Sequence, residues 1–416
     1  MIDSFGRDII GGLQDVRHAV PIGLIGIISW TVWLIRWVLS RRYRPLINDY
    51  RTTTSVVVPV YREDPDVLVR CLETWLGEGP DEIVLVVDLE DTALFARLAP
   101  YEADERVRVI PFGHSGKRSA LGVGIRAARH EVVVLTDSDT AWEPGLLAAV
   151  QMPFVDPRVG GVGTRQNVHD RGSSRWRIVA DWVVNTRYLD YVPAQSPGGG
   201  IACLSGRTAA YRRSAILPLV PQLEHEVFLG RHCVSGDDGR LTWLVLSTGY
   251  TTVYQASARA VSMFPDSFRA FVKQRVRWSR NSYRCYLTAI YRGWLWRQPL
   301  VTQLTVLQIL VTPLSMAAAL FYVGVWAERQ NWSVFAFVVA WLFVGRGIRG
   351  ISHLRQHPED LVYLPLVTAS VVLVALPIKT WAFFTMNTQG WLTRRSDLVG
   401  GEGQTEASLS TADTRA

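Results

Sequence analysis

Cysteine is scarce: Cys71, Cys203, Cys233 and Cys285 are the only four in 416 residues, widely separated and without a CxxC spacing. That pattern indicates neither a disulfide framework nor a zinc site, and leaves reduced cytoplasmic thiols as the simple reading. A Gly-x4-Gly-Lys-Ser/Thr loop is also missing, which disfavours a P-loop ATPase. The net charge of +7 comes without a helix-turn-helix, zinc or RNA-binding signature, and the arginines cluster beside apolar runs. No nucleic-acid partner is expected. Charge itself is nearly absent from residues 19–40, 301–326 and 333–344. Stretches of this kind read as membrane segments, since about 20 apolar residues span the hydrocarbon layer.

What is present supports that division. The chain has 16 tryptophans, many at the ends of these runs, as at Trp30, Trp37, Trp294, Trp296, Trp326 and Trp332. Such rings favour the headgroup zone. Residues 19–40 are too long for a signal peptide, and Arg41, Arg42 and Arg44 follow in place of a cleavage site, so an anchor with its basic end in the cytoplasm is expected. Residues 301–326 then carry the chain out, and 332–344 return it to Arg346, Arg349 and Arg355. The last apolar run, 361–386, holds Pro365 and Pro377 and precedes Arg394 and Arg395; a bent or re-entrant element reconciles these features, and a full span with an external tail is the alternative. The expected organisation is a membrane segment and linker over 1–50, a cytoplasmic catalytic domain over 51–260, amphipathic interface helices over 261–300, a membrane region over 301–396 and a disordered tail over 397–416.

Between residues 52 and 254 charge recurs throughout. Short β-branched runs at 55–60 (SVVVPV), 83–88 (IVLVVD), 107–111 and 132–137 (VVVLTD) alternate with helical patterns at 66–76 and 117–129. Fully apolar strands alternating with helices predict a parallel sheet buried on both faces, hence an α/β fold with its ligands at the carboxyl ends of the strands. The acids collect at those ends. In Asp137-Ser138-Asp139 two carboxylates leave a buried strand into a turn, where they can reach a hard divalent cation. The plainer reading of that tripeptide is an Asx turn. Gly116-Lys117-Arg118 opens a helix, as an anion site or a solvated helix start. Asp237 and Asp238 open the next helical run about a hundred residues downstream of the first acids. They read either as an N-cap pair or as the second acidic centre that a glycosyl transfer needs for proton removal. Residues 273–278 (KQRVRW) join cations to an indole, which serves as a lipid anchor or as a diphosphate grip beside a sugar-stacking face.

Taken in order, VVVPVYRED, GKRSAL, TDSDT, CLSGRTAAYRR, SGDDGRLT, LSTGYTTVYQ, KQRVRWSRN and PIKTWAFFTMNTQGWLTR resemble the processive membrane glycosyltransferases over residues 55–395. The resemblance is strongest to hyaluronan synthases, with chitin synthases and nodulation-type N-acetylglucosaminyltransferases as near relatives. It implies a GT-A type nucleotide-sugar-binding domain with a mostly parallel sheet, plus transmembrane helices in the plasma membrane. Tyr61, Glu63, Asp88, Lys117, Arg118, Asp137, Gln274, Arg275, Arg277 and Arg394 would bind a UDP-sugar. Asp139, with Asp137, would hold Mg2+ or Mn2+. Asp238, with Asp237 beside it, would supply the general base for inverting attack. Trp278, Cys203, Ser205 and Gly206 would receive the growing polysaccharide, and Trp391 and Thr393 belong to a gating loop. The departures are Leu392 where the family has Gly, Arg207 where it has Pro, Trp243 where hyaluronan synthases carry Asn, and one amino-terminal membrane segment in place of two. The alternative is a non-processive transferase acting on a lipid or short oligosaccharide. A transporter leaves the α/β acids unexplained, and a pseudoenzyme should lack Asp139 or Asp238.

Overall fold

The computed structural model describes residues 16–113, 116–330 and 332–388. Helix α1 (Val16–Arg42) leads into strand β1 (Thr54–Val60), whose seven residues are all buried. Strands β2 (Glu82–Asp88), β3 (Val107–Phe112), β4 (Val132–Thr136), β5 (Thr140–Trp142), β6 (Val159–Val168) and β7 (Thr208–Arg212) follow, then a small hairpin of β8 (Val227–Phe228) and β9 (Arg231–His232), and the long β10 (Thr251–Ser262). The main sheet runs β3-β2-β1-β4-β7-β6-β10-β5. Four of its seven neighbouring pairs are parallel and three antiparallel, β7 being the strand that reverses between β4 and β6. This is the mostly parallel α/β sheet expected from the apolar runs.

Both faces of the sheet are covered. Helix α2 (Pro65–Gly77) starts where the Asp64 carboxylate accepts from the amides of Asp66 and Val67 and Pro65 occupies the first turn. It buries Leu68, Leu72 and Trp75 against one face, and the Trp75 indole donates to the Thr140 carbonyl at 2.9 Å. Helix α3 (Lys117–Ala127) covers the other face and can do so only because Gly124 has no side chain: a Cβ there would lie 2.3 Å from Val57 Cγ1 on β1. Gly124→Ala therefore prises α3 off the sheet and is expected to cost about 1–3 kcal/mol, read as a lowered urea midpoint.

Helix α4 (Arg175–Thr186) continues into a π-helical turn, Arg187–Tyr191. Helix α5 (Asp237–Ser247) lies behind the sheet, with Trp243 fully buried against Tyr286 at a ring separation of 6.4 Å. Trp243 is thus a packing residue beside Ala202 and Leu295. Residues 273–278 lie on one 24-residue helix, α6 (Phe268–Tyr291). Helices α7 (Leu300–Glu328) and α8 (Trp332–Arg349) follow, then helical turns that join into the run Pro358–Phe384. Among the described residues, two helical runs are long and apolar enough to cross a membrane, Leu300–Val325 and Pro358–Phe384. The second contains a π-helical turn at Ser370–Val374, between Pro365 and Pro377, so the bend expected from the prolines is local and the run keeps enough length to cross.

The segment after α8 is fixed to the sheet domain by a buried ionic cluster. His353 stacks on Trp182 at 4.6 Å, places its Nε2 2.8 Å from Asp360, and receives the Asn185 amide on Nδ1 at 3.1 Å. Asp181, His353 and Asp360 bring ligand-type atoms within 4.8 Å of one another. Arg171 is paired with both carboxylates, at 3.1 Å to Asp181, so the protein itself offsets part of their charge.

Candidate active site

Parallel strands β1, β2 and β4 all end on the same side of the sheet, and each delivers acids there. Glu63 follows β1 and accepts from Ser138 Oγ at 2.5 Å; Asp88 ends β2 and receives the Glu90 amide at 2.9 Å; Asp137 and Asp139 follow β4. Because β7 runs antiparallel to β4, the loop entering β7 lies beside the same turn. The Arg207 carbonyl accepts from the Asp137 amide at 3.1 Å and from Thr136 Oγ1 at 2.8 Å, which brings Cys203, Ser205 and Gly206 to the acids. Ser205 Oγ holds the Arg207 amide at 3.4 Å.

Lys117 closes the arrangement. Its ammonium sits 2.7 Å from Asp137 Oδ1 and 3.0 Å from Asp237 Oδ2, joining the first acidic turn to the second. Burial disfavours the Lys117 charge, but the two carboxylates outweigh that and hold its pKa above the ordinary lysine range. Asp237 is likewise disfavoured by burial and held below the usual aspartate range by Lys117. Asp238, the next residue on α5, goes the other way. Burial raises its pKa, the Asp237 charge raises it further, and the Gly239 amide at 2.7 Å only partly offsets both. Two adjacent carboxylates thus have opposite proton affinities, the division of labour used where one acid stays ionised and the other exchanges a proton. The Cys203 thiol lies 3.9 Å from Asp238 Oδ2, and burial together with the Asp238 charge pushes it up to about 12, so it is no nucleophile at neutral pH.

A recess of about 300 Å3, counted to its open mouth, is lined by Pro59, Lys117, Asp137, Gly206, Asp237 and Asp238. A second, of about 240 Å3, shares Lys117 and is walled by Tyr61, Asp88, Phe112 and Gly116. Its flat aromatic and acidic walls have the chemistry for a base and a ribose. For a metal, Asp137, Asp139 and Glu63 supply carboxylate oxygens of the kind a hard cation such as Mg2+ or Mn2+ takes, but their oxygens do not converge into a cluster in this structure, where Asp137 is paired with Lys117 and Glu63 with Ser138.

Helix α6 carries Gln274, Arg275, Arg277 and Trp278, which approach the acids through Arg207: it faces Asp137 and Asp139 on one side and Arg277 and the Trp278 ring on the other. Gln274 is 2% exposed, and among the described residues no acceptor reaches Arg275 Nε and Nη2 or Arg277 Nε. The guanidiniums of Arg275 and Arg207 lie 5.0 and 5.3 Å from the Trp278 ring, and Arg207 lies 4.0 Å from that of Phe264. Burial, reinforced by the charge of Arg207, lowers Arg275 to about 10. Buried guanidiniums with unused donors are organised for an anion.

One expectation is corrected. Arg118 does not face the recess: it is 3% exposed and binds Glu226, the Leu223 carbonyl and the carbonyls of Ser235 and Gly236. The Arg118 guanidinium is committed to those partners, whereas Lys117, one position earlier, turns to the acids of the recess. Arg118 shapes the loop that presents Asp237. Glu226 and Arg187 are functional positions that no motif flagged: Glu226 pairs with Arg118 at 2.6 Å and Arg240 at 3.2 Å, and Arg187 donates to the Cys203 carbonyl at 2.6 Å. Trp391, Thr393 and Arg394 lie outside the described residues.

The match to known proteins is broad. The family model described as "Glycosyltransferase like family 2" covers residues 51–281. The chain belongs to glycosyltransferase family 2. This glycosyltransferase is 29% identical over 350 residues to an N-acetylglucosaminyltransferase of Azorhizobium caulinodans, covering 82% of this chain and 87% of that one. It is 25% identical over 387 residues to a hyaluronan synthase of Streptococcus pyogenes serotype M3, covering 90% and 91%. Its fold is similar to that of a Pyrobaculum calidifontis mannosyltransferase solved with GDP-Man and Mn2+, at a TM-score of 0.60 and 19% identity over 86% of this chain and 99% of that one. The sheet is therefore a GT-A fold, as the motif order implied.

Proposed function

We propose that this glycosyltransferase is embedded in the plasma membrane with residues 51–260 in the cytoplasm, and that it extends and exports a polysaccharide from UDP-sugar donors by inversion at the anomeric carbon. The observation that carries the reading is the Lys117 bridge, which holds the acid turn of β4 and the start of α5 around one recess with Asp238 at its wall. In this reading Tyr61, Glu63 and Asp88 hold the nucleoside, and Asp139 with Asp137 would hold Mg2+ or Mn2+. That cation supplies charge neutralisation to the departing diphosphate. Gln274, Arg275, Arg277 and, from the gating segment with Trp391 and Thr393, Arg394 add donors to the same anion. Asp238 takes the proton of the acceptor hydroxyl as its oxygen attacks the anomeric carbon. Cys203, Ser205, Gly206 and Trp278 line the acceptor side, where the indole offers an apolar face to a sugar ring.

The apolar runs Leu300–Val325 and Pro358–Phe384, with α1, support membrane spans beside that acceptor wall. The named relatives support an N-acetylhexosamine-containing product. The test is nucleotide release by purified protein with Mg2+ or Mn2+ across UDP-sugars offered singly and in pairs. Release with one donor marks a homopolymer and release only with two marks a copolymer, while silence with every donor contradicts the reading. Asp139→Ala is expected to weaken nucleotide binding in Mn2+ by at least about tenfold and to leave the weak metal-free binding unchanged, measured by titration calorimetry; an unaltered metal dependence removes Asp139 from the site.

A further inference from the structure

Away from the catalytic recess, α1 and α8 enclose a concentration of positive charge. Arg36 on α1 is 2% exposed and lies 4.1 Å over the Tyr191 ring. Arg349, in the last turn of α8, donates to Ser29 Oγ at 2.9 Å and lies 4.6 Å over Trp30. Arg346 shares Tyr191 with Arg349 as an electrostatic neighbour. Arg41 lies over the Trp37 ring at 5.2 Å and donates to Ser352 Oγ at 3.0 Å. Among the described residues the carboxylate that meets these guanidiniums is Asp190, bound by Ser352 Oγ at 2.6 Å and facing Arg36 and Arg41.

The unmet donors point the same way. Among the described residues no acceptor reaches Nε of Arg36, Arg346 or Arg349, or the indole nitrogens of Trp33 and Trp37, although all five atoms are buried. Buried donors in this number are costly unless an acceptor joins them. The surface immediately around them is apolar: Ile28 and Ile35 on α1 are 54% and 40% exposed, and Val344 and Ile348 on α8 are 51% and 39% exposed. An anion with apolar chains attached fits such a place, and aromatic and basic residues together mark headgroup depth.

We infer that this cleft is a specific site for the phosphate of an anionic phospholipid, seated between α1 and α8 with its acyl chains along the exposed aliphatic residues. The assignment rests on the membrane reading above. It also gives the lipid a route to catalysis, because Tyr191 ends the π-helical turn that begins at Arg187, and Arg187 holds the Cys203 carbonyl beside Asp238.

The full chain is placed in nanodiscs of phosphatidylcholine with a minor share of phosphatidylglycerol, re-extracted in mild detergent, and its retained lipid identified by mass spectrometry. Wild-type protein is expected to be enriched in phosphatidylglycerol, and R346Q/R349Q to retain on the order of tenfold less. Equal enrichment in that variant, or a retained anionic glycan without lipid enrichment, overturns the site. Should R346Q/R349Q fail to fold, the single variant R349Q decides, with several-fold less enrichment expected and unchanged enrichment equally contrary. A chain that enters the discs but retains no phosphatidylglycerol removes only the lipid site, whereas a chain that does not enter them removes the membrane reading as well.

Discussion

Asp238→Asn is expected to lower kcat by on the order of 10³-fold while leaving UDP-sugar affinity within about twofold of wild type. The exchange is nearly isosteric, and the Asn carbonyl can still accept from the Gly239 amide now held at 2.7 Å by Asp238 Oδ1. What it removes is proton capacity alone. Burial and the neighbouring Asp237 charge raise the Asp238 pKa. A general base works only when deprotonated, so activity falls as pH drops through that raised pKa and levels off above it. The acid limb of kcat/KM in wild type should therefore lie above the ordinary aspartate range, and the residual activity of the variant should lack it. Full activity in Asp238→Asn, or an unshifted limb, places the base elsewhere.

Lys117→Met is expected to be damaging in two measurements. The ammonium neutralises Asp137 and Asp237 at 2.7 and 3.0 Å, and its side chain is 16% exposed beside carboxylates at 28% and 13%. Removing it leaves two like charges facing across a partly buried gap. The expected cost is about 2–3 kcal/mol, below the range for a fully buried pair because Asp137 keeps contact with water. Chemical denaturation reads that loss. Activity should fall further than stability, because the turn of β4 and the start of α5 lose their common register. Combining Lys117→Met with Asp237→Asn should recover most of the stability and none of the activity, a non-additivity that ascribes the first effect to charge and the second to position. Additive losses would show that the bridge is incidental.

Parts of this architecture were legible because they are locally consistent. Strands β1, β2 and β4 are unbroken β-branched runs buried on both faces, and the acids stand immediately after them. Strand β6 was not legible. Its sequence, VGGVGTRQNV, lacks apolar alternation, and its glycines reflect close neighbours: a Cβ at Gly161 would lie 2.8 Å from Leu204 Cδ1. Strand β10 was hidden by the register shift between Gln255 and Arg259 against β6, which breaks its period. In the site, adjacency misled at Lys117 and Arg118, since only the helix start decides which of the two faces the recess. Glu226 and Arg187 act through partners more than a hundred and about fifteen residues away, and nothing local marks them. Trp243, a departure from the Asn of hyaluronan synthases, proves to be a core side chain.

The central claim is polymer extension coupled to export, and sealed liposomes test it most directly. Purified protein is reconstituted with its catalytic domain outward, UDP-sugars and Mn2+ are added outside, and the product is sized with and without an external glycosidase. A polymer that lengthens with time and is protected inside the vesicle is the predicted result. A single sugar added to lipid, or chains wholly digested from outside, would contradict it.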